Sequence, residues 1–294
     1  MAKQKLHSMK LHVTSGIIAG IMIFSSCGGS QEEAVEQVEV VEAAPAEETT
    51  KTEINELADF KFHSLIANIP SPLNTYDMLH NSGAPYNLDL CNSIEKRENY
   101  LTNASVATNF GVYMADLGYI SCNGDNQKTI TSYAVVRSFS EKLGFSTILD
   151  GVVKNRLQEN VGNKDSSMVI LDEAYIAMDE YLKSNNQLLN AGFIVAGSWV
   201  ESQHIALAML KDPQVYATNE PLRKEIQQQR LHIANMIKFL QEFKDDDDVA
   251  NLLGGFIAVQ SAYNHLVDVD DVTPESITRL EGAIALIRHA IVGS

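Results

Sequence analysis

The chain has 294 residues, 45% of them hydrophobic, enough to bury a sizeable core without metal or disulfide staples. Its formal charge is −16, and such a surface repels nucleic acid and anionic lipid headgroups. It contains no glycine-rich phosphate loop, nucleophile elbow, zinc spacing or basic-aromatic stripe, so hydrolase, kinase and nucleic-acid functions lack support and no cofactor is expected.

Residues 3–10 are basic, and Val13 to Phe24 form an apolar run of twelve, long enough for the core of a signal sequence but short for a membrane-spanning helix. Ser25, Ser26, Cys27, Gly28 and Gly29 follow at once. This junction resembles the lipobox of bacterial lipoproteins, with Phe24 where that family usually has Leu. The resemblance implies cleavage before Cys27 and acylation of its thiol and of the new amino terminus. At ~0.8 kcal/mol per buried CH₂, two or three chains make such an anchor stable. Residues 1–26 hold Lys3, Lys5 and Lys10 and no acid, so cleavage takes the charge from −16 to −19. Nine of the acids are glutamates between Glu32 and Glu56, in a stretch without aromatic residues that cannot bury enough surface to fold alone. Residues 27–58 therefore read as a lipidated cysteine with an acidic, extended tether. Ser30-Gln-Glu-Glu33 is similar to the acidic export signal of surface lipoproteins in Bacteroidota, which leaves the periplasmic face and the cell surface both open.

Residues 59–294 read as a single all-α domain of about eight to nine helices, either an antiparallel bundle or an array of helical hairpins. The expected helices are 72–82, 99–123, 125–143, 147–161, 165–186, 188–211, 219–243, 246–266 and 274–292. Stripes such as Val106, Phe110, Tyr113, Leu117, Ile120 and Ile277, Leu280, Ile284, Ile287, Ile291 step by three and four, the spacing of one buried helix face. Ser71 before Pro72, Asp125, and Thr273 before Pro274 look like helix starts, and Gly144 and Gly162 like stops. Small residues inside the helices (Gly111, Gly118, Gly192, Gly197, Gly254, Gly255) suggest close helix crossings. Asp245 to Asp248 read as a cap for the helix that follows, and Asp268-Val-Asp270-Asp271 as a helix-start loop, since it lacks the later ligands and the glycine of a calcium loop.

Two acids stand apart. Asp116 is the only charged residue between Asn99 and Gly124, and Glu201 shares the apolar stretch Leu188 to Leu210 with one other ionisable group, His204. A charge buried there costs several kcal/mol unless it is paired, hydrogen-bonded or protonated. Both acids could serve only to fix helix register, or Asp116, Tyr119, Trp199, Glu201 and His204 could line a pocket for a small ligand. Glu201-Ser-Gln-His204 is also the Glu-x-x-His step of di-iron bundles, but only Asp77-Met-Leu-His80 offers a partial second copy, so no metal is expected. Cys91 and Cys122 could be bridged or free.

Ile69-Pro-Ser-Pro72, Asn109-Phe-Gly-Val-Tyr-Met-Ala-Asp-Leu-Gly-Tyr119 and Gly197-Ser-Trp-Val-Glu201 resemble blocks of an uncharacterised family of all-helical lipoproteins from Bacteroidota. That resemblance implies the envelope without implying an activity. The expectation is a protein held to the bilayer through Cys27, most simply at the outer membrane, whose domain binds a small ligand or a protein partner rather than catalysing a reaction. The alternative is a small-ligand or metal-dependent enzyme with a buried site around Glu201 and His204.

Overall fold

A computed structural model describes residues 69–160 and 162–293, all of which belong to one compact unit; the signal sequence, Cys27 and the tether lie outside the described residues. The described residues are all-helical, with no strand among them. In chain order the helices are α1 Pro72–Asn81, α2 Asn103–Cys122, α3 Asn126–Lys142, α4 Ser146–Glu159, α5 Lys164–Ser184, α6 Leu188–Leu210, α7 Pro213–Thr218, α8 Glu220–Gln241, α9 Asp247–Tyr263 and α10 Pro274–Val292.

Their ends follow side-chain chemistry. Ser71 Oγ caps α1 ahead of Pro72, Thr102 and Ser105 form a reciprocal capping box on α2, Asp125 caps α3, and Thr273 with Ser276 boxes the start of α10. Asp246 accepts from the Asp248 and Val249 N–H groups, so the acidic run caps α9. After α3 the chain turns at Gly144, whose φ of +82° is open to glycine at no steric cost. Two boundaries differ from expectation. Helix α2 begins at Asn103 rather than 99, because the capping box fixes its first turn and Ile94–Asn99 closes as a separate 3₁₀ turn. The six-residue α7, capped by Asp212 and started by Pro213, is too short to show a periodic stripe.

The fold is a bundle around a central pair, α2 and α6. Apolar residues cover every face of both, and both are buried for most of their length. By length and composition α6 could cross a membrane, yet 83% of its most apolar window is inside the protein, so here it is a core helix. The two helices cross at reciprocal glycines. A Cβ on Gly111 would overlap the Ile194 carbonyl oxygen, one on Gly197 would overlap the Thr108 carbonyl oxygen, and Ser198 Oγ donates to the Gly111 carbonyl at 2.9 Å. Gly254, by contrast, faces open space and serves no crossing. Helices α3, α4 and α5 pack in succession on one side of the pair, and α8, α9 and α10 on the other.

Candidate functional site

Helix α2 carries Tyr113, Asp116 and Tyr119 at three-residue steps, hence on one face. That face is covered by the chain itself, in the segment between α1 and α2 that we term the strap. The Tyr113 hydroxyl donates to the Ser93 carbonyl (2.6 Å), Asp116 Oδ2 accepts from the Asn92 N–H (2.9 Å), and the Tyr119 hydroxyl accepts from the Asn87 N–H (3.0 Å). The far end of the strap is tied to the end of α10. Tyr100 donates to the Val292 carbonyl at 3.1 Å while accepting from Asn92 Nδ2, and Lys96 reaches the Gly293 carbonyl at 3.1 Å.

Glu201 on α6 is fully buried and meets Arg288 of α10 in a two-pronged ion pair, with Nε and Nη2 each 2.7 Å from a carboxylate oxygen. The same Nη2 lies 3.4 Å from the Leu90 carbonyl of the strap, which His204, one turn beyond Glu201, also faces. Burial lowers the His204 pKa below the ordinary imidazole value, and the charge on Glu201 opposes that shift. Burial, then the charge on Glu201, raises the Asp116 carboxyl well above the usual carboxylate range. Two acids and one guanidinium thus share one buried cluster.

Of the residues singled out in the sequence, Asp116, Glu201 and His204 lie around Arg288 and the strap, whereas Tyr119 meets the strap elsewhere, at Asn87, and packs on Tyr76 and Tyr86. Trp199 does not join them. Its indole N–H donates to Gln229 Oε1 of α8 at 2.7 Å, and its ring packs on Phe256 and Tyr263. Arg288, Tyr113 and Asn92 are members that the sequence reading did not single out. Arg288 follows Ile284 by four residues and so continues a buried stripe, the one signal that could have found it.

The chemistry open to this cluster is limited. Both oxygens of Glu201 are engaged by Arg288, and among the described residues no three His, Cys, Asp or Glu side chains gather closely enough to hold a metal ion. Cys91 and Cys122 are free thiols. Burial first, then Asp116, drives the Cys91 thiol upward, and burial pushes Cys122 up to about 11, so neither is a ready nucleophile.

An open cleft lies beside this cluster, between the start of α1, α5 and α6, with a volume of about 250 Å³. Ile69, Met178, Leu182 and Ile194 make its walls, Trp199 and Tyr175 add aromatic surface, and Ser198, Asp172 and Asp179 supply oxygen atoms. The Tyr175 hydroxyl is buried beside Ser198 and makes no hydrogen bond of normal geometry. Tyr76 Oη and Asp116 Oδ1, deeper in the bundle, are also buried without partners. A second cleft of about 420 Å³ runs between α2, α9 and α10 and is lined mainly by apolar and small side chains such as Gly255, Ala258 and Ala283. Comparison of the chain with family models, with curated proteins and with solved structures finds no match in any of the three.

Proposed function

We propose that the chain is a lipid-anchored envelope protein of the Bacteroidota type whose helical domain is a binding module, with the cleft between α1, α5 and α6 as its site. The anchor rests on the basic and apolar leader followed by Ser-Ser-Cys27-Gly-Gly. The binding reading rests on one observation: an open, largely apolar cleft walled by aromatic rings, with carboxylates at its rim.

Two measurements test the two halves. Mass spectrometry of native protein is expected to find residue 27 at the amino terminus with a diacylglyceryl thioether, and Cys27→Ala to leave the protein out of the detergent phase. A thermal-shift screen of small amphipathic compounds is expected to yield stabilisers whose effect Val195→Trp, which fills the cleft, removes. An unmodified residue 27 removes the anchor, and stabilisers indifferent to Val195→Trp remove the cleft.

A further inference from the structure

The polar groups at the cleft show what charge its ligand carries. Asp172 is exposed at the cleft and forms no ion pair among the described residues, whereas Asp179 is paired with Lys183 one turn along α5. Among the described residues no Lys, Arg or His side chain lines the cleft. Ser198 spends its proton on the Gly111 carbonyl, so its oxygen presents only lone pairs. The adjoining start of α1 offers an anion little: Pro72 has no N–H, and the Leu73 and Asn74 N–H groups are taken by Ser71 Oγ (3.4 Å) and the Ser71 carbonyl (3.3 Å). Among the described residues at the cleft, acceptors therefore outnumber donors, and Asp172 is the one charge without an ion pair. The volume of about 250 Å³ lies below the roughly 300 Å³ at which drug-sized ligand sites begin, so the occupant is compact.

We propose that this cleft binds a small amphipathic cation, an amine on a compact apolar body, with its ammonium group at Asp172 and its body against Met178, Ile194 and Trp199. This inference rests on the reading of the cleft as the binding site.

Because Trp199 is the only tryptophan, its indole N–H resonance reports the cleft in the intact protein without further assignment. Three probes of one shape separate the possibilities: phenethylamine, 2-phenylethanol and 3-phenylpropanoate. The amine is expected to bind about tenfold tighter than the alcohol, a difference of ~1.4 kcal/mol, and the carboxylate weakest. Asp172→Asn is expected to bring the amine down to the level of the alcohol, and added salt to narrow the gap in the unaltered protein. Equal binding of amine and alcohol, or a preference that survives Asp172→Asn, overturns the cation while leaving the cleft as a site. If none of the three moves the Trp199 resonance, the cleft itself falls as the binding site, and the cation with it.

Discussion

Two neighbouring regions of this bundle are built from similar residues and treated in opposite ways. Around Asp116 and Glu201 the strap covers the acids and Arg288 pairs with Glu201, although Asp116 Oδ1, Tyr76 Oη and His204 Nδ1 stay buried without partners. Around Tyr175 and Ser198 the chain leaves a cleft, and a buried hydroxyl has no regular partner. A cluster of buried acids is thus not by itself a sign of a ligand. What distinguishes a lock from a site is whether the protein's own chain has filled the space.

If that contrast is right, substitutions in the first region cost stability and those in the second cost binding. Arg288→Met strands the buried Glu201 carboxylate and is expected to cost about 3–5 kcal/mol in urea unfolding followed by Trp199 fluorescence. Removing both charges in Glu201→Met with Arg288→Met is expected to recover most of that loss. A loss below about 1 kcal/mol for the single change would mean the pair does not hold the strap. Gly111→Ala drives a methyl into the Ile194 carbonyl and is expected to cost about 1–3 kcal/mol, read by the same unfolding curve.

Asp116→Asn tests the raised carboxyl and has a smaller, pH-dependent effect. The native Asp116 pKa lies above the unfolded one, so above about pH 4 the folded state holds a proton that the unfolded state has released. Stability from this group is full below that pH and is lost as pH climbs toward the raised native value. The asparagine variant does not titrate, so its melting temperature is expected to gain on the wild type as pH rises above about 4, until the raised native value is passed. A constant difference across that range would place Asp116 outside the coupled cluster. Last, Val195→Trp, at a half-buried position on the cleft wall, is expected to abolish ligand-dependent stabilisation.

Most of the helical plan is legible in the sequence because stripes and caps agree. Thr273-Pro274-Glu275-Ser276 marks the start of α10 from hydroxyls and a proline alone, and the uniformly apolar α6 announces its central place. The site is legible only in part. Asp116, Tyr119, Glu201 and His204 are identifiable because polar residues stand alone in apolar helices. Trp199 lies two residues from Glu201, which turns it about 200° around the helix, so it belongs to another face. The strap is hidden for a different reason. Its backbone groups do the bonding, and residues 87–93 carry no periodic signal that would announce it.

The bond from Tyr100 to Val292, like the reach of Arg288 to Leu90, joins points nearly two hundred residues apart. Contacts of such long sequence separation form late, after the entropy of closing a very large loop has been overcome. A ribosome-bound chain that stops short of α10 carries Glu201 and the strap without their partner. Synthesis of the closing helix thus sets the earliest moment at which the domain can lock.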